Sequence, residues 1–434
     1  MLLERARLLT FLNSRVTFFM MSLCRPERRA LYACYAAMMC LAMALNFLPV
    51  FLTTFSHTFG AASGLTTEQL GRIPAVMFLS FIVAILITGP LADRVRIALI
   101  IRFALGTTLV GLGWVAMAPS YTLLLCAVAV MGFGAGMLDM ILSPIVAALQ
   151  PERRSAAMNW LHAYFCIGAV AAVLIASVAL QWDISWRTVA LILMVAPLAT
   201  LLLFLGLTLP PLIKEGGQRE SMPTLIKQPY FIACLLAIFL GGATEVGLSQ
   251  WLPAFAEQSL GYSKEVGGYT LAAFSVGMAL GRIGAALLQE RVPAISLMLG
   301  CCAVTVVLFF VISFSSSPAL ALAAAIAAGF SGSCLWPTML AITSEAYPQG
   351  GATMFSVLTA SGNAGCSLVP WIVGIIAAYS DLHIGLLAVT FCPAAMMVLL
   401  VWMSRCSPPK KPTSSTLDRS RNPPSKRCPV QRYS

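Results

Sequence analysis

The chain has 434 residues, of which 59% are hydrophobic and only 10% charged, whereas soluble domains run near 25% charged. That balance excludes an ordinary soluble globular protein, because no water-solvated core takes up so much apolar surface. The net charge of +11 raises the question of nucleic acid, and the placement of the basic residues along the chain answers it.

Residues 1–29 set basic side chains around a short apolar patch, VTFFMMSL. The patch is too short to cross a bilayer and has no small-residue cleavage site, so it reads as a cytoplasmic arm rather than a signal peptide, with Met1, Met20 or Met21 as the start. Apolar segments of spanning length follow near 30–55, 73–92, 97–118, 121–148, 154–181 and 187–209. A polar linker occupies 210–228, and a second set lies near 229–256, 265–288, 292–315, 318–346, 350–379 and 383–404. A helix of about 20 residues crosses a hydrocarbon core about 30 Å thick, so twelve transmembrane helices are expected. Strands of about 10 residues alternating apolar and polar are not seen, which excludes a β-barrel. The tail, 405–434, is rich in Pro, Ser and basic residues and is expected to be disordered.

The basic residues then sort by side. Arg5 to Arg29, Arg94, Arg96, Arg153, Arg154, Lys214, Arg219, Lys227, Arg291 and the tail fall on the side holding both termini; Arg72, Arg187 and Lys264 fall opposite. The positive-inside rule puts both termini in the cytoplasm, and an even span count agrees. The charge therefore sets topology in a multi-pass protein of the cell (inner) membrane, with the lipid bilayer as partner and no nucleic acid. Most of the 13 cysteines lie in spans and none in an outer loop, so disulfides are not expected. No metal-ligand spacing and no GxxxxGK[ST] loop occurs, so no cofactor or ATP drive is called for.

The two halves repeat. GFGAGMLDMILSP from Gly132 aligns with GFSGSCLWPTMLA from Gly329, and the same offset of 197 carries Asp93-Arg94 onto Glu290-Arg291, Pro151 onto Pro348 and Gly168 onto Gly365. FLPVF at Phe47 echoes WLPAF at Trp251. The expected architecture is an all-α membrane protein of two pseudo-symmetric six-helix bundles, 30–209 and 229–404.

GPLADRVR, from Gly89 to Arg96, resembles the loop between the second and third spans that marks the major facilitator superfamily, with Arg96 where glycine is usual. Together with the twelve spans, the half repeat and the central linker, this resemblance covers about 30–405. It implies a secondary transporter that works by alternating access, acting as a monomer on a small-molecule substrate. In that family Gly89, Asp93 and Arg94, with Glu290 and Arg291 in the second half, correspond to a cytoplasmic gate or charge lock. Interfacial anchoring by the same charges is the alternative. GAGMLDMILSP and GGATEVGLSQWLPAF further resemble the fourth and seventh helices of the fucose permease-like sugar/proton symporter group. The first span offers only Asn46 where that group has a second acid.

Two carboxyls, Asp139 and Glu245, lie at mid-span, one in each half. Ionisable groups inside a bilayer are costly and mark solute or ion pathways, so both are candidates for proton coupling, or for binding another cation; a protonated acid bonded within the bundle is the alternative. Asn159 and His162 share a helix face and offer amide and imidazole contacts, unless His162 is a packing residue. Gln250, Trp251, Trp336 (at the Asp139 position of the second repeat) and Asn363 complete the expected lining. The resulting expectation is a proton-coupled symporter of a sugar or related metabolite, with a proton-driven exporter of amphipathic compounds as the alternative. A non-transporting sensor ranks lower, as does an intramembrane enzyme, since no HExxH or GxSxG motif occurs.

Overall fold

The computed structural model describes residues 25–60, 64–92, 94–150, 154–207, 209, 222–288, 291–347 and 350–406. Those residues form twelve spans in chain order, without strands. In the first half they are α1 Glu27–Phe59, α2 Thr67–Leu91, α3 Ile97–Met117, α4 Tyr121–Leu149, α5 Arg154–Gln181 and α6 Trp186–Gly206. The second half contributes α7 Pro229–Gln258, α8 Lys264–Leu288, α9 Ala294–Phe314, α10 Pro318–Ala346, α11 Gly351–Tyr379 and α12 Leu382–Arg405. We call the side where α1 begins and α12 ends the terminal face, and the other the distal face. The N-terminal arm, most of the linker and the tail lie outside the described residues; the end of the linker forms a helical turn, Met222–Leu225, whose Leu225 is buried.

Five of the helices that enter from the distal face are capped by their own sequence. Side chains of Thr66, Ser120, Ser185, Ser317 and Asp381 accept the first free amides of α2, α4, α6, α10 and α12, and Thr66 forms a reciprocal box with Gln69. Such caps satisfy donors that a lipid-facing helix end would leave bare.

Other spans break where the sequence placed proline. α1 passes through a 3-10 turn at Leu48–Phe51, which contains Pro49, and α7 is interrupted at Gln250 and Trp251 just ahead of Pro253. These are the FLPVF and WLPAF segments, so the repeat extends to the kinks. α1 also runs on to Phe59, past the expected end near 55, because Leu52–Phe59 resumes the helix beyond the turn.

Packing repeats as well. Gly168 of α5 lies against the Met39 carbonyl of α1, and Gly365 of α11 against the Phe239 carbonyl of α7, each too close to admit a Cβ without displacement. Small residues let helix backbones approach where lipid supplies no hydrophobic drive. Between the halves, α2 packs on α11 and α5 on α8, a pair of contacts related by the pseudo-two-fold of the duplication.

Replacing Gly365 by valine is expected to overpack the α7–α11 contact and lower stability by about 1–3 kcal/mol. Gly106→Ala, where no atom lies within 4 Å of the added methyl, is expected to leave the melting temperature in detergent unchanged or slightly raised.

Candidate functional site

A cavity of about 100 Å³ lies between the halves. From the first half, Asn46 and Pro49 reach it from the α1 kink, Phe78 and Phe81 from α2, Asp139 from α4, and His162 and Phe165 from α5. From the second, Glu245 and Gln250 come from α7, Phe274 and Arg282 from α8, Trp336 from α10, and Asn363 and Cys366 from α11. Both amides reach the lining beside a kink, Asn46 at the end of the first segment of α1 and Gln250 at the interruption of α7.

One ion pair dominates the polar contacts. Arg282 Nη2 lies 3.0 Å from Glu245 Oε2 and 3.3 Å from Oε1, with the side chains 5% and 14% exposed. The rest of the guanidinium is also committed: Nε donates to the Ser333 carbonyl, and Nη1 donates to the His162 carbonyl at 3.3 Å and to Cys166 Sγ at 3.0 Å. Arg282 thus ties α7 and α10 of its own bundle to α5 of the other. An arginine fork can do this where an ammonium point charge could not, because its planar array presents five donors in fixed directions.

Asp139 stands differently. It faces the cavity on α4, and no hydrogen bond or ion pair to another described side chain accompanies it. With Glu245 paired to Arg282, Asp139 is the carboxyl of the cavity that has no charged partner among the described residues. Two of the lining amides anchor their NH2 on their own helices, Asn46 to the Ala42 carbonyl and Asn363 to the Thr359 carbonyl. Buried His162 has no protein partner at Nε2.

The expected site residues divide accordingly. The structure brings Asp139, Glu245, His162, Gln250, Trp336, Asn363 and Asn46 to one cavity. Trp251 is not in the lining: it is fully buried, its indole N–H donates 2.9 Å to the Pro370 carbonyl, and its ring fills the space beside Gly71 and Gly374. The wide indole is a packing plug behind the α7 kink. Asn159 lies on α5, and its side chain is outside the described residues, as are Asp93 and Glu290 of the charge lock. Arg94 and Arg291 are exposed at the terminal face, and buried Gly89 abuts Ser356 of α11.

Arg282 itself was not among the expected residues. Its signal is visible in SVGMALGRIGAALL, a lone cation in an apolar segment. Counting basic residues by loop passes over it, although an intramembrane arginine calls for a named partner as much as an acid does.

On the distal side of the cavity the two halves are joined by matched contacts. Trp371 of α11 donates its indole N–H to Glu68 of α2 at 2.9 Å, and Tyr269 of α8 bonds Gln181 of α5 at 3.0 Å. Glu68 is also paired with Arg72 at 2.7 Å.

The family model described as Major Facilitator Superfamily matches residues 34–352 and 257–430. The chain belongs to the major facilitator superfamily. It is an integral multi-pass membrane transporter with that family's fold. Among solved structures, that of the E. coli fucose:proton symporter FucP shares 17% identity with a TM-score of 0.66, covering 87% of this chain and 99% of the other. The human organic anion transporter MFSD10 shares 15% identity and a TM-score of 0.69, over 87% and 100% of the two chains. A bacterial homolog of the human lysosomal transporter Spinster, in an inward-facing and occupied conformation, shares 16% and 0.71, over 88% and 98%. No curated protein sequence matches the chain.

Truncating one partner of the buried pair leaves the other charge unmatched, so Glu245→Ala is expected to cost about 3–5 kcal/mol. The double variant Glu245→Ala with Arg282→Met is expected to recover a large part of that loss in denaturant or thermal unfolding of the detergent-solubilised protein.

Proposed function

We propose that this chain is a secondary active transporter that moves a small polar solute, a sugar or related metabolite, by alternating access with proton coupling. The observation that carries this reading is the mixed lining: one uncompensated carboxyl, Asp139, shares a central cavity with amides, an imidazole and the Trp336 ring. Amide oxygens and Nε2 of His162 suit the hydroxyl groups of such a solute, and an aromatic face suits a sugar ring. The two bundles rock about the cavity and expose it to one side at a time. Substrate and proton each bind the two states unequally, which is the thermodynamic condition for coupling.

In this reading the protein acts as a monomer in the cell (inner) membrane, with both termini cytoplasmic, bundles at 30–209 and 229–404, and Gly89, Asp93, Arg94, Glu290 and Arg291 forming a cytoplasmic gate. The positive charge along the terminal face supports that orientation. A second reading, proton-driven export of amphipathic compounds, is favoured by Phe78, Phe81, Phe165 and Phe274 in the same lining.

The two separate in proteoliposomes given an imposed pH gradient and a panel of neutral sugars and lipophilic cations. The first reading predicts accumulation of a sugar that Asp139→Asn abolishes, while exchange of labelled for unlabelled sugar without a gradient persists. Accumulation of lipophilic cations alone supports the exporter. If Asp139→Asn and Glu245→Gln both leave gradient-driven accumulation intact, proton coupling through these acids is wrong.

A further inference from the structure

We propose that Arg282 is a positioning residue that latches the terminal half of the cavity shut, by holding α8 of one bundle against α5 of the other. The proposal rests on the alternating-access reading and adds to it the residue whose release opens the site toward the terminal face.

Placement carries the argument. Arg282 lies near the terminal end of α8, which enters from the distal face at Lys264, and His162 lies in the terminal part of α5, which leaves that face at Arg154. The contacts from Arg282 to the His162 carbonyl and to Cys166 therefore cross the bundle interface on the terminal side of the cavity. Tyr269 and Gln181 join the same two helices on the distal side. One helix pair is thus pinned at two depths. Rocking open to the terminal face must part the first pin and keep the second, and rocking open to the distal face must do the reverse.

The latch is held in place from its own bundle. Glu245 takes up Nη2 and the Ser333 carbonyl takes up Nε, so the fork is aimed across the interface whether or not α5 is there to meet it. All donor groups of the guanidinium are engaged in this arrangement, which assigns Arg282 to conformational control and leaves solute contacts to the amides and His162. Glu245 then serves by orienting Arg282, whereas Asp139, which lacks such a partner, faces the solute.

The test is hydrogen–deuterium exchange by mass spectrometry on the full-length protein in nanodiscs, comparing the starting chain with Arg282→Lys, Glu245→Gln and Cys166→Ala. Arg282→Lys keeps the charge beside Glu245 but loses the fork. It is expected to speed exchange about ten- to a hundredfold in peptides covering 160–168 and 280–288, the size of one lost charge-assisted hydrogen bond. Exchange in distal peptides covering 66–72 and 177–182 is expected to slow, because a population shifted toward terminal opening closes the distal side more often. Cys166→Ala removes one cross-bundle acceptor and is expected to move both regions in the same directions by less. Glu245→Gln is expected to resemble Arg282→Lys. Equal acceleration on both sides would mark Arg282 as an ordinary packing residue and overturn the proposal, as would exchange unchanged in Arg282→Lys and Cys166→Ala. The readout requires no transport, so its failure is distinct from failure to accumulate a solute.

Discussion

A guanidinium inside a bilayer must be paired, and the way Arg282 is paired organises the middle of this molecule. Burial of an unpartnered charge costs several kcal/mol, and lipid gives no water to reduce it. Glu245, one helix away, removes most of that cost at 3.0 Å. The remaining donors reach backbone carbonyls and a thiol on two further helices. A single side chain therefore fixes the relative positions of α5, α7, α8 and α10 around the cavity. Because two of those bonds cross between bundles, the arrangement can exist in one conformation and be lost in another without either bundle unfolding.

The duplication supplies the complementary half of the design. Helix pairs α2–α11 and α5–α8 form the interface, and each is joined at the distal face by a polar contact, Glu68 with Trp371 and Gln181 with Tyr269. Close glycine contacts occur within each bundle, at Gly168 and Gly365, and also across the interface, where Gly268 of α8 meets Ser177 of α5 and Gly374 of α11 meets the Thr67 carbonyl of α2. Small residues on both kinds of contact let the helices approach closely, and the polar pairs mark where the bundles can part.

Much of this was legible in the sequence, for physical reasons that differ by feature. The span count followed from the uniform demand of the hydrocarbon core, and the paired FLPVF and WLPAF segments marked the places where α1 and α7 prove to be interrupted. Asp139 and Glu245 stood out because an acid has no ordinary place in such a run. Arg282 did not, because basic residues were assigned to faces by loop, and one inside a helix had no face to join. Trp251 shows the opposite difficulty. An indole beside a kink suits either a cavity wall or a packing plug, and the choice is made by Gly71 and Gly374, which are remote in sequence and leave space for the ring. The polar order of the interface is likewise nonlocal, since Trp371 and Glu68 are 303 residues apart.

The central claim is that the charged residues border a void that water and solute reach from one side at a time. Cys366 is a free thiol in the cavity lining, which allows a direct measurement: site-resolved labelling with a membrane-impermeant thiol reagent applied to either face of oriented vesicles. The account predicts that Cys366 reacts from one face under a given condition, changes face when conditions shift the bundles, and is protected by a transported solute. Reaction of Cys366 only with lipid-soluble reagents, or from neither face under any condition, would contradict it.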